Sequence, residues 1–105
     1  MWNKPTENEL NKLPKLYETD NKKLEDIIIH MHFFIGSCDW YMAEYSSPER
    51  LFFGYAILNN DIDNSEWGYI SFDELCSIKT KLGIEVDRDL YWTAKRAGEI
   101  DGIKV

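Results

Sequence analysis

The chain is short of several things. It has two cysteines in 105 residues, Cys38 and Cys76. They are far apart and show no CxxC or Cys/His spacing, which excludes a disulfide scaffold and a zinc ribbon and fits a reducing compartment. Proline is sparse, and no apolar run approaches the ~20 residues of a membrane span. The amino-terminal residues, with Asn3, Lys4, Pro5 and Glu7, contain no apolar segment of signal-peptide type. There is no phosphate-binding glycine pattern and no nucleophile elbow around Ser46-Ser47. No repeat or low-complexity tract interrupts the chain. One cytoplasmic domain over residues 1–105 is expected, with 1–12 and 99–105 as loosely ordered tails.

Basic residues are also few. Twelve Lys and Arg stand against nineteen Asp and Glu, a formal charge of −7. All of that imbalance lies between Asp39 and Asp89, where eleven acids meet four bases. Such a field disfavours direct contact with nucleic-acid phosphates and favours a basic surface or a cation. Aromatics, in contrast, are abundant at 14% of residues. They serve either a core or a binding surface.

The pattern of side chains predicts an α+β domain. Asp26 to Ile35 is rich in β-branched and aromatic residues and reads as one strand. On it, Ile27, Ile29, Met31, Phe33 and Ile35 share a face, opposite Ile28, His30, His32 and Phe34. Gly36 to Asp39 reads as a turn and Trp40 to Tyr45 as a second strand. Ser46 to Glu49 is another turn, and Leu51 to Leu58 a third strand. Asn59 to Glu66 is a polar loop, followed by a short strand from Trp67 to Ile70. Close turns between successive strands imply an antiparallel meander of about four strands. Ser71 followed three residues later by Glu74 predicts a capping box, and the stripe Phe72, Leu75, Cys76, Ile78, Leu82 predicts one main helix closed by Gly83 and packed on one sheet face. Ile84 to Trp92 is expected as an extended segment or edge strand.

Two metal readings can be tested on the residues. Asp63, Ser65, Gly68, Ile70 and Glu74 fall on an EF-hand spacing, but Trp67 stands where an oxygen ligand is needed and no helix precedes the loop. A cation held by Asp61, Asp63 and Glu74 is the corresponding rival function. His30 and His32, two residues apart, lack a third ligand of obvious spacing. The expectation is therefore no metal and no cofactor. A small enzyme acting on a cationic substrate is a further rival, without an identifiable catalytic set.

Several blocks in order carry a family likeness: Leu13-Pro14-Lys15-Leu16-Tyr17, Phe33-Phe34, Asp39-Trp40-Tyr41 with Glu44, Leu51-Phe52-Phe53-Gly54, Glu66 to Ser71 with Glu74-Leu75, and Gly83 to Tyr91. Together they resemble the bacterial domain-of-unknown-function 2958 family over about Leu13 to Trp92. The resemblance implies a small cytoplasmic protein of plasmids, conjugative elements or phage, with no established activity and no catalytic residues to carry over. It also implies a strand-to-helix turn, rather than a calcium loop, at Gly68 to Leu75. The acidic stretch Asn59 to Ser65 departs from the family's pattern.

The resulting expectation is a non-enzymatic, acidic protein-binding module of a mobile genetic element, an inhibitor of the anti-CRISPR or anti-defence type. Its partner would be a basic, nucleic-acid-handling protein, with no membrane and no nucleic acid bound directly. Asp61, Asp63, Glu66, Asp87 and Asp89 are the expected contact residues, with Trp40 and Tyr45 as aromatic anchors.

Overall fold

A computed structural model describes all residues, Met1–Val105. Its centre is an antiparallel sheet of five strands in the order β5-β4-β3-β2-β6. Four are the expected meander: β2 (Met31–Ile35), β3 (Cys38–Ser46), β4 (Leu51–Ile57) and β5 (Glu66–Ser71). The fifth, β6 (Asp87–Arg88), pairs with Phe33 and Phe34 on the far side of β2. Trp2 lies beside it, donating its N–H to the Val86 carbonyl and accepting from the Arg88 N–H. A separate two-stranded sheet joins β1 (Ile28–Ile29) to β7 (Lys95–Arg96).

The stretch expected as a single strand, Asp26 to Ile35, is broken. A 3-10 turn covers Leu24–Asp26, β1 follows, and pairing changes partner across His30. The reason is packing on both faces of the sheet. Ile27 and Ile29 are buried with Ala43, Tyr55, Ile57, Ala97 and Ile103 on one face. Phe33 is buried with Leu10, Leu13, Met42, Phe52, Phe72 and Val86 on the other. A regular strand would hold Ile29 and Phe33 on the same face; the break lets each reach a different core.

Two helices cover the Phe33 face, and both are short. The first, α1 (Glu7–Leu10), starts from a reciprocal capping box between Thr6 and Glu9. The second, α2 (Phe72–Ser77), buries Phe72 and Leu75. The expected main helix through Leu82 is therefore corrected to six residues. Ile78 leaves helical geometry, with φ −67° and ψ 126°. Lys79 then pairs with Glu85 across a tight turn in which Thr80 bonds Ile84. Gly83, at φ +82°, serves that turn rather than ending a helix. β-branched Ile78 and Thr80 favour the extended form. Ser71 does accept the Glu74 N–H, at 3.1 Å, but Glu74 returns no bond, so the capping box there is half made.

A β-bulge shapes the middle of the sheet. The register of β3 against β4 shifts between Met42 and Glu44. The extra residue brings Tyr45 back to the face of Trp40 and Met42 and turns Glu44 toward the loop before β1. Glu44 is 2% exposed. Its carboxylate accepts the N–H groups of Tyr17 and Thr19, each at 2.9 Å, and the Thr19 hydroxyl. Tyr17 sits at φ +74°, a left-handed conformation costly for a non-glycine residue, and Glu44 is the group that holds it there.

Candidate functional site

Cross-strand pairing assembles a cluster that sequence reasoning did not find. A two-residue turn at Gly36-Ser37 pairs His32 with Tyr41 and Phe34 with Asp39. The His32 ring stacks on Tyr41 with centroids 4.7 Å apart and planes 8° apart. Its Nε2 lies 2.8 Å from Asp39 Oδ1 and its Nδ1 lies 3.1 Å from Asp89 Oδ2. Asp89 follows β6 directly and donates its own N–H to the His32 carbonyl. Its Oδ1 accepts the Tyr91 N–H at 3.0 Å. Trp92 closes over His32 and Tyr41 and donates its indole N–H to the Ile29 carbonyl at 3.0 Å. Lys95 Nζ stands 4.5 Å from the centre of the Trp92 ring.

Only an imidazole carrying a proton on both nitrogens can donate to two carboxylates at once. Each ring nitrogen faces a carboxylate, so the ring is fixed from both sides. The arrangement works as a lock. It ties the turn Asp89–Trp92 to the sheet from both ends and leaves Leu90 58% and Tyr91 94% exposed at its tip. Burial, then the negative charges of Asp39 and Asp89, push the Tyr41 hydroxyl up to about 12. His30, placed with His32 by sequence spacing, makes no bond to the bridge and lines an adjoining cleft with Glu9, Arg88, Asp89 and Trp92. Burial there pulls its pKa down.

The expected contact residues fall into two groups and a remainder. Asp61, Asp63 and Glu66 are exposed on or beside the loop between β4 and β5. That loop is pinned rather than loose. The Asn60 N–H bonds the Ser37 carbonyl, Asp61 accepts from Asn64, and buried Ser65 bonds Tyr55 at 2.6 Å. Asn59, Asp61, Asn64 and Glu66 border a depression of about 270 Å³. The loop is entered from a strand, so the helix–loop–helix frame of an EF-hand does not form, and the Ser65 hydroxyl is spent on Tyr55 and the Ile62 carbonyl.

Asp87 and Asp89 lie at the opposite edge. Pairing nevertheless puts all these acids toward one end of the sheet. Asp87, Phe34, Asp39 and Ile57 form one transverse row, and Glu66 pairs with the neighbouring Ala56. Three strand spacings separate Asp87 from Ile57, roughly 14 Å. Trp40 and Tyr45 are corrected. They are 7% and 2% exposed, inside the Phe33-face core, and offer no anchor to a partner. The bulge explains Tyr45, since it restores that side chain to the buried face. Exposed aromatic surface comes instead from Tyr91, Tyr69, Tyr17 and Trp2.

A family model described as a protein of unknown function (DUF2958) matches residues 6–98. The chain belongs to that family. No curated protein and no solved structure matches it. This DUF2958 chain has no helix long and apolar enough to cross a membrane. Within it, the Asp39–His32–Asp89 lock is legible only after the fact. A two-residue hairpin turn would have placed Asp39 diagonal to His32, but nothing local announces Asp89.

Proposed function

We propose that this DUF2958 chain is a non-enzymatic protein-binding module that docks on a basic, nucleic-acid-handling partner. The observation that carries this reading is Tyr91, 94% exposed on a turn held rigid by the His32 bridge. Large aromatic side chains on pre-ordered backbone are the usual centres of binding energy, because little entropy is lost when they are covered. Leu90 beside it extends the apolar tip. Asp39, Asp87 and Asp89 stand behind the tip, and Asp61, Asp63 and Glu66 add to the same negative field across the sheet end. That field would steer a cationic partner and set the choice between partners. The mobile-element setting that the sequence likeness implies gives this proposal its most specific form, an inhibitor of the anti-CRISPR or anti-defence type.

The test is affinity capture from a bacterial lysate at low and high salt, with three baits compared. The wild-type chain is expected to retain a basic protein. Tyr91→Ala should recover roughly 30-fold less of it, the equivalent of about 2 kcal/mol at a hot spot. The variant Asp61→Asn, Asp63→Asn, Glu66→Gln should retain it with much weaker salt dependence. Identical recoveries by all three baits, or retention only of acidic proteins, would overturn the proposal.

A further inference from the structure

The two edges of the sheet are treated very differently. The β6 edge is two residues long and is covered by Trp2. The β5 edge runs six residues in unbroken register with β4, from Glu66 to Ser71. It contains no proline, no lysine and no bulge, the devices that ordinarily keep an edge from pairing.

Which backbone groups it presents follows from the ladder. The Phe72 N–H bonds the Arg50 carbonyl at 3.0 Å, so residues 72 and 50 are a hydrogen-bonded pair. Antiparallel pairs alternate between bonded and non-bonded. Ile70, Gly68 and Glu66 therefore bond inward to β4, while Trp67, Tyr69 and Ser71 point outward. The N–H and C=O of Trp67 and Tyr69 have no partner in the fold, nor does the Ser71 N–H. The Ser71 carbonyl is taken by the first turn of α2, as at any helix N-cap.

Side chains and charge narrow what could pair here. Trp67 and Tyr69 lie with Phe53 on one face, ring centroids 5.8 and 5.5 Å from it, and Tyr17 meets Tyr69 edge-on at 6.4 Å. They form an aromatic wall along the edge. On the other face the space beside Gly68 is open, with nothing within 4 Å of where a Cβ would stand. From Asn59 to Ser77 the sequence holds five carboxylates and no lysine or arginine; in the fold Arg50 pairs with Asp73 and Lys104 Nζ bonds the Asp63 carbonyl, so two cations meet five anions and the field stays negative. A second copy of this chain, itself at −7, is repelled by that field. We propose that β5 is a strand-addition site for an extended, lysine- or arginine-rich segment of another protein. Backbone bonds to Trp67 and Tyr69 supply the pairing. Apolar residues of the segment cover the aromatic wall, and its basic residues meet Asp63 and Glu66. The site is distinct from the Leu90–Tyr91 turn, which adjoins the opposite edge.

The probe is an eight-residue peptide alternating Lys with Val or Thr, with the Glu counterpart as control, and the readout is residue-resolved amide hydrogen exchange. The Lys peptide is expected to slow exchange tenfold or more at Trp67, Tyr69 and Ser71. Glu66, Gly68 and Ile70, already bonded, should change little. The surface variant Asp63→Lys, Glu66→Lys should reverse the preference, protecting the same amides with the Glu peptide. Tyr69→Pro, which removes one outward N–H at an edge where proline is tolerated, should weaken Lys-peptide binding at least tenfold. No protection at millimolar Lys peptide, or equal protection by both peptides, would overturn the proposal. Protection that grows with protein concentration in the absence of peptide would overturn it in favour of self-pairing.

Discussion

Replacing Glu44 with alanine removes one buried carboxylate and leaves three donors without their acceptor. The Tyr17 and Thr19 N–H groups sit 2.9 Å from its two oxygens, and the Thr19 hydroxyl shares the second. Hydrogen bonds to a charged acceptor contribute about 1.5–3 kcal/mol each. They do not simply add, because the loop can open and hydrate what it loses. Tyr17 is 62% exposed and its N–H can find water, whereas Thr19 is 6% exposed and its groups cannot without unfolding the segment. The expected cost of Glu44→Ala is therefore about 4 kcal/mol, a large share of the ~5–15 kcal/mol that holds such a domain together. At about 4–8 °C per kcal/mol, the thermal midpoint should fall by roughly 15–30 °C. Glu44→Gln sharpens the test. Its single oxygen can satisfy Thr19, but its amide NH2 then faces the Tyr17 N–H, donor against donor, at a cost of about 2 kcal/mol. Urea unfolding followed by tryptophan fluorescence measures both variants. If Glu44→Ala comes within 1 kcal/mol of wild type, on the scale of one ordinary neutral hydrogen bond, the carboxylate is not what fixes the loop and this reasoning fails.

Two more outcomes test the sheet and its electrostatics. A Cβ on Gly54 would lie 2.2 Å from the Tyr41 backbone carbonyl, so Gly54→Ala should destabilise by about 3 kcal/mol, while Gly68→Ala, across the ladder in open space, should change stability by less than about 1 kcal/mol in the same urea assay. Tyr41 ionises at about 12 when folded against 10 when unfolded, so its contribution to stability is complete below pH 10 and is lost as pH rises from 10 to 12. Tyr41→Phe should flatten that alkaline limb, and absorbance at the tyrosinate band should show Tyr41, Tyr45 and Tyr69 ionising at higher pH in the folded than in the unfolded chain, with the highest of these steps missing from the variant.

How much of this was readable in the chain can be seen from particular residues. Alternation in Leu51 to Ile57, turn residues at Gly36 and Ser47-Pro48, and the Ser71 cap are local signals, and they specify the meander and the helix start. The length of that helix was not local. Leu82 fits a helical stripe, yet it is 88% exposed at a turn, because Lys79 finds a strand partner in Glu85. Trp40 and Tyr45 looked like surface anchors in an acidic stretch. The bulge at Ala43, which no residue type announces, returned Tyr45 to the core.

By itself the sequence determined the charge, its concentration in the middle of the chain, the order of the strands and the family likeness, because these depend on composition and on neighbours a few residues apart. Only the tertiary structure decided which acids gather at one sheet end, that Asp89 reaches back 57 residues to His32, and that β5 is left as an open edge. Those depend on which strand lies last in the sheet and on contacts between distant segments, and the free energy of such contacts is set by packing across the whole core rather than by any local pattern.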